Sequence, residues 1–243
     1  MMISPMEFYE RYIDGKSIDE VRKIINKLRK ENRDLIKILE DPRLIVSPIC
    51  APHPKTKISM NLEYINEARN YIFEKNGELY MNKKEENAFI FSQSIEHIDT
   101  ISLLITSFSS PKEPIIIKFV GDMVVSVTRW YLEEFEYEIS KFNEFDISEK
   151  ERITILSQNE YITVLHTTKQ VFLRSFDELN IGAWDKTYST LKYDMEILDG
   201  TQWELTITYK SGKVAKYGGS NAYPYNFDDL CQLFGIDNSD EEE

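Results

Sequence analysis

The stretch QWELTITYKSGKVAKY, residues 202–217, decides the fold. Trp203, Leu205 and Ile207 alternate with polar residues, and this period of two is typical of a strand with one buried face. The KSGK run over residues 210–213 supplies a turn, and residues 214–217 form the returning strand. The sequence therefore predicts an antiparallel hairpin in the C-terminal part of the chain.

Segments with the same period precede this hairpin and are separated by turn residues. They predict strands over residues 98–108, 114–120, 123–130 and 135–142, and one more hairpin built from residues 153–156 and 161–165. The short connections favour antiparallel neighbours. A mainly antiparallel sheet is therefore expected as the central element.

A long helix is expected near the N-terminus. Ser17-Ile-Asp-Glu20 has the spacing of a capping box, apolar residues then recur with a helical period, and Asp41-Pro42 ends the pattern. This helix either packs on the body of the protein or pairs with another helix. Residues 45–60 contain three prolines and predict an extended connection.

Three shorter helices complete the expected set. The first covers residues 62–74 and ends at Gly77, the second is capped by Thr168, and the last is short and capped by Asn226. The predicted class is α+β, with a mainly antiparallel sheet built of hairpins, a long N-terminal helix and a short C-terminal helix.

The expected organisation has three parts. Residues 1–77 form an N-terminal helical segment, residues 78–236 hold the antiparallel sheet with a C-terminal hairpin-helix module, and residues 237–243 form a disordered acidic tail.

The composition limits the classes of ligand. The formal net charge of −13 argues against direct binding of nucleic acid, which requires concentrated Lys and Arg. Cys50 and Cys231 lie far apart and outside any metal-ligand spacing, which favours reduced thiols in a cytoplasm. The sequence contains no apolar run of about 20 residues and no secretory signal pattern. No membrane, metal or cofactor is expected.

The segment GGSNAYPYNF, residues 218–227, is the least ordinary part of the sequence. Gly218, Gly219 and Asn221 can adopt positive φ, so the segment predicts a tight reversal from strand to helix. The alternative is a ligand loop in which Ser220, Asn221 and Tyr223 bind an anion or a peptide terminus beside the helix.

An acidic run suggests a partner. If residues 134–139 form a strand, Glu134, Glu136 and Glu138 share one face about 7 Å apart and the aromatic residues face inward. One interpretation is an edge strand kept soluble by charge. The other is electrostatic docking to a protein with a basic surface.

Several blocks of the sequence resemble a family of uncharacterised proteins from Gram-positive bacteria. They are FDELNIGAW over residues 176–184 followed by Tyr188, LDGTQWEL over 198–205, GSNAYP over 219–224 with Asn226 and Phe227, and EYINEA over 63–68. The resemblance covers most of the chain and implies a bacterial cytoplasmic or phage-borne setting. It transfers no catalytic residues.

No catalytic signature accompanies these features. A nucleophile elbow, a P-loop and a dinucleotide fingerprint are all absent from the sequence. The sequence therefore favours a non-enzymatic acidic protein that binds another macromolecule, as an immunity, anti-defence or defence-associated factor would. The alternative is an enzyme of unknown substrate with its site at the corner formed by Trp184, Trp203 and residues 218–224.

Overall fold

A computed structural model describes residues 3–44, 52–107, 113–145, 147–197 and 200–236. The predicted acidic tail and Cys50 lie outside these ranges. The described residues form two compact units, which meet in the sequence between Lys83 and Lys84. None of the helices in these ranges is long and apolar enough to cross a membrane.

The N-terminal unit is helical. Its elements are α1 (Pro5–Tyr12), α2 (Ile18–Glu40) and α3 (Pro54–Asn76). The predicted capping box begins α2, because the backbone N–H and the hydroxyl of Ser17 both donate to the Glu20 carboxylate, at 2.9 and 2.7 Å. Gly77 ends α3 with φ of 74°, as predicted.

The long helix α2 pairs with α3 in an antiparallel arrangement, which is the second of the two expected alternatives. Val21, Ile25 and Leu28 form its buried stripe. Asn32 interrupts the stripe and is itself buried, and its side-chain oxygen accepts a hydrogen bond of 2.8 Å from Asn61 of α3. Each amide thereby satisfies a polar group that burial would otherwise leave costly.

The predicted extended connection over residues 45–60 is wrong from residue 54 onward, since α3 begins there. Pro54 occupies the first turn of the helix, where a missing N–H costs nothing. His53 caps this end by accepting a hydrogen bond from the backbone of Lys55 at 3.3 Å. Residues 45–51 lie outside the described ranges.

The second unit is built on one seven-stranded sheet with the order β4-β3-β2-β1-β6-β7-β5. Every neighbouring pair is antiparallel except β5 with β7. The α+β prediction is confirmed. The strands are β1 (Ile98–Thr106), β2 (Ile115–Val120), β3 (Met123–Thr128), β4 (Ile162–Thr168), β5 (Thr187–Ser189), β6 (Gln202–Tyr209) and β7 (Val214–Ser220).

Among the described residues, five α-helices accompany this sheet. They are α4 (Lys83–Ser94), α5 (Leu132–Glu144), α6 (Glu149–Leu156), α7 (Lys169–Glu178) and α8 (Phe227–Leu233). Thr168 caps α7 as predicted, its hydroxyl accepting from the backbone N–H of Val171 at 3.3 Å. Asn226 does not cap α8 through its side chain, because that amide instead donates to the carbonyl of Leu179 at 2.8 Å.

Different helices pack on the two faces of the sheet. One face holds the larger core, in which residues of β1 and β6 such as Ile101 and Leu205 pack with Phe172 and Phe176 of α7. On the other face a second core joins β2, β3 and β4 to α5 and α6. On this second face, β1 and β6 carry partly exposed hydroxyl residues, namely Thr100, Ser102, Thr206 and Thr208.

Two of the predicted strands are helices. Residues 135–142 lie within α5, and residues 153–156 lie within α6. Phe135, Ile139 and Phe142 are spaced i, i+4 and i+7, so the same residues that suggested an alternating strand also form one helix face. Tyr137, which a strand would have buried beside them, is 62% exposed.

Candidate functional site

The second unit carries a strongly acidic helix, α5, which has five Glu and one Lys, whereas the two Glu of α6 are balanced by one Lys and one Arg. Residues 132–160, which include α5 and α6, contain nine Asp or Glu and three Lys or Arg. Both helices pack on the face formed by β2, β3 and β4. This part of the chain is therefore the first place to look for a basic partner.

The three carboxylates predicted to share a strand face do not share a face of α5. At about 100° per residue, Glu136 lies some 200° around the helix from Glu134, on the opposite flank. The predicted row formed by Glu134, Glu136 and Glu138 is therefore wrong, because the backbone that would have aligned it is helical.

Two of these carboxylates have structural partners. The Glu136 carboxylate lies 2.6 Å from the ammonium of Lys118 on β2, whose side chain is 17% exposed. The Tyr131 hydroxyl donates to Glu138 at 3.0 Å. Burial, and then this contact, raise the pKa of Tyr131. The Glu136 contact thus holds α5 against β2, and the Glu138 contact joins α5 to the residue that precedes it.

Three other positions of α5 leave their charge in solvent. Glu133 and Glu144 lie on the side opposite to Phe135 and Phe142, and Glu134 lies on one flank. All three are exposed. We call Glu133, Glu134 and Glu144 the acidic face of α5.

A groove runs between α6 and the edge strand β4, with a volume of about 550 Å³. We call it the β4 groove. It is lined by Asp122, Met123, Glu149, Ile153, Ser157 and the whole of β4. Two carboxylates line it, but none of the described lining residues is Lys or Arg. Ile153 is 38% exposed and supplies apolar surface on the helix side.

The outer edge of β4 has no neighbouring strand among the described residues. The backbone N–H of Thr128 donates to the carbonyl of Tyr161 at 3.3 Å, which marks these two as a hydrogen-bonded pair. Since such pairs alternate along an antiparallel ladder, Ile162 and Val164 turn their backbone groups away from β3. The N–H of Ile162 donates to the carbonyl of Asn159 at 3.2 Å.

The corner at residues 218–227 is tightly closed. The indole N–H of Trp203 donates to the carbonyl of Ala222 at 2.9 Å, and the ring is 3% exposed. A Cβ at Gly219 would lie 2.4 Å from that indole nitrogen and one at Gly218 would lie 2.9 Å from the Trp203 carbonyl. Both glycines belong to β7 and neither has positive φ, so their role is close approach and the predicted positive φ is wrong.

The predicted loop ligands Ser220, Asn221 and Tyr223 take part in this closure. Asn221 has φ of 53°, and its side-chain oxygen accepts from the backbone of Thr201 at 2.7 Å. Tyr223 packs on Phe227 with ring centroids 4.8 Å apart. Ser220 is the last residue of β7 and pairs with Gln202. The polar groups of Asn221 thus serve the turn itself.

Two buried polar atoms near this corner have no hydrogen-bond partner among the described residues. They are the indole N–H of Trp184 and the side-chain oxygen of Asn226. The Trp184 ring makes edge contacts with Trp203 and Tyr217 at 6.3 and 6.1 Å. Burial raises the pKa of Tyr217 to about 12, which keeps its phenol neutral.

The sequence identified the acidic residues but missed the β4 groove. Its signal was the neutral run ITVLHTT over residues 162–168, next to a second Ser-x-x-Glu capping box at Ser148 and Glu151. Within the described residues there is no group of three or more His, Cys, Asp or Glu that could hold a metal ion.

Comparison of the chain with protein-family models, with curated proteins and with solved structures found no match. The resemblance to a Gram-positive family therefore stays a prediction.

Proposed function

We propose that this protein acts by binding a protein partner with a basic surface, without catalysing a reaction on it. The single observation that carries the proposal is the placement of charge on one face of the sheet. The acidic face lies on α5, and the groove carboxylate of Glu149 lies on α6; both helices pack on β2, β3 and β4. The other groove carboxylate, Asp122, lies in the turn between β2 and β3. Complementary charge of this kind mainly raises the rate of association and selects the partner.

The biological setting follows from the resemblance stated above. In a bacterial or phage-borne protein, an acidic binding surface suits an immunity, anti-defence or defence-associated factor, because such factors neutralise another macromolecule by occupying its surface. The partner class we propose is a folded protein or a segment of one, and the net charge of −13 argues against nucleic acid.

The test compares two triple variants that remove the same number of charges. The first variant is Glu133→Gln, Glu134→Gln and Glu144→Gln. The matched control replaces Glu10, Glu63 and Glu74 of the N-terminal unit, which are also exposed, by Gln. Each protein is immobilised and exposed to a lysate of the source organism, and the captured proteins are identified by mass spectrometry.

We expect a basic protein to be captured by the wild type and the control and lost from the first variant. With that partner purified, its association rate at low salt should fall about tenfold for the first variant, with a flatter dependence on salt. Equal capture and equal rates for all three proteins would contradict the proposal. A captured partner with an acidic surface would contradict it as well.

A further inference from the structure

We infer that the outer edge of β4 docks an extended, basic polypeptide segment of the partner, which joins the sheet as an additional strand. This inference rests on the proposed function and specifies where and in what conformation the partner binds.

The backbone of β4 supplies the first part of the argument. An unpaired strand edge is a ready template for another chain, and natural proteins usually protect it with Lys, Pro, a bulge or a covering element. The run ITVLHTT contains neither Lys nor Pro, and the irregularity in its pairing lies beyond Val164. Val164 offers an outward N–H and C=O, since its ladder position opposite Val125 is a non-hydrogen-bonded one.

A ladder irregularity sets the length of the docking edge. The pairing of β4 with β3 moves from Val125↔Val164 directly to Met123↔Thr168, so β4 has two extra residues there. A bulge of this kind bends the strand and interrupts regular pairing. The regular edge therefore extends over residues 162–165, and the docked strand is correspondingly short.

The groove beside this edge supplies the side-chain contacts. Ile162, Val164 and His166 occupy alternate positions of β4 and line the groove together with Ile153 of α6. A strand added at the edge would place every second side chain over this strip. One apolar side chain can pack on Ile153 and Val164.

Charge indicates the chemistry of the occupant. Asp122 and Glu149 line the groove, and no described lining residue opposes them with a Lys or Arg. Asp122 lies at the end of β4 near Thr168, because its carbonyl accepts from the backbone of Lys169 at 2.8 Å. A second copy of this chain would bring its own acidic groove to the same edge. Charge complementarity therefore favours a basic segment over a second copy.

The experiment uses the synthetic peptide KVKVKVK as the probe on the whole protein. Its matched control is the same peptide with N-methyl groups on alternate residues, which keeps the charge and removes backbone donors. Binding is measured by titration calorimetry. We expect the unmodified peptide to bind about tenfold more tightly than the methylated one, because strand addition depends on backbone hydrogen bonds.

Two protein variants separate the groove from general charge. Ile153→Lys and Ile155→Lys add the same charge to α6 at positions of similar exposure, 38% and 41%, but only Ile153 lines the groove. We expect Ile153→Lys to lower the affinity for the peptide about tenfold or more. Ile155→Lys should change that affinity less than about threefold. Far-UV circular dichroism is recorded on both variants to check that they fold.

The outcomes distinguish this inference from the proposed function. Equal affinity for both peptides, equal effects of the two Lys variants, or no binding of KVKVKVK would each overturn docking at β4. If the lysate partner is lost from the α5 variant but unaffected by Ile153→Lys, the proposed function stands and the β4 inference fails. A concentration-dependent dimer abolished by Ile153→Lys but not by Ile155→Lys would make the occupant a second copy and overturn the basic segment.

Discussion

Replacing Trp203 by Ala tests whether the corner at residues 218–227 holds the second unit together. The ring is 3% exposed and contacts Phe227 at 4.8 Å and Tyr188 at 5.9 Å between centroids. Removing a buried Trp leaves a cavity and typically costs about 3–5 kcal/mol. The carbonyl of Ala222 also loses its 2.9 Å donor. We therefore expect the free energy of unfolding to fall by about 3–5 kcal/mol.

The assay can be directed to the second unit alone. All three tryptophans of the chain, at positions 130, 184 and 203, belong to that unit. Urea denaturation followed by Trp fluorescence therefore reports on its unfolding, even when Trp203 is absent. Circular dichroism, followed in parallel, reports on the helices of both units.

Two comparison variants make the result interpretable. Trp203→Phe keeps an aromatic ring but removes the indole donor, so it should cost about 1–3 kcal/mol for the unpaired carbonyl. Trp130→Ala removes a ring that is 54% exposed and loses its contacts with Tyr161 and Tyr131, and should cost about 0.5–1.5 kcal/mol. A loss below about 1 kcal/mol for Trp203→Ala would refute the reasoning that the ring is core.

Three further outcomes are expected. Burial raises the pKa of the Cys231 thiol to about 11, so iodoacetamide at pH 8 should modify it in denaturant but not in the native protein, as read by peptide mass spectrometry. Gly219→Ala should lower the melting temperature more than Gly121→Ala, because only the first places a Cβ against Trp203, whereas the second carries the strain of φ at 63° alone. Hydrogen bonds from Ser17 hold the pKa of Glu20 below its ordinary 4.5, so the stability advantage of the wild type over Glu20→Ala should be full above pH 4.5 and shrink as pH falls below it.

Local signals predicted much of the fold from the sequence. The capping box at Ser17 and Glu20, the cap at Thr168 and the alternation from Trp203 to Tyr209 all act within a few residues, and the structure has each of them. Such signals depend on backbone groups next to them in the chain. They therefore hold whatever the rest of the fold does.

The wrong predictions arise where a segment fits both a strand and a helix period, or where a strand pairs with a segment distant in the sequence. Residues 135–142 satisfy both a strand and a helix pattern, and only the position of α5 over the sheet decides between them. The box at Ser148 and Glu151 was a usable signal for α6 that the alternation of its neighbours obscured. No local feature could have predicted β5, whose three residues pair in parallel with β7.

The candidate site shows the same division. The sequence identifies which residues are acidic, but it cannot show which carboxylates the fold uses for its own contacts. It also cannot show that β4 lies at the edge, because strand order depends on pairings between distant segments. The exposed edge and the groove beside it are therefore properties of the folded chain.

Under the proposed function, the acidic residues of α5 act both in folding and in partner binding, and experiments can separate the two. Replacing Glu136 would remove the near counter-ion of Lys118, leaving Asp99 at 4.0 Å, so a change there would combine stability with binding. Replacing Glu133 or Glu144 alters only exposed charge. Exposed charge attracts a partner over a Debye length of about 8–10 Å and so acts on the association rate. The partner contacts inferred for the β4 groove would form after encounter, so their loss should appear in the dissociation rate. The triple variant of the acidic face should therefore change the association rate of the complex. Ile153→Lys should change its dissociation rate.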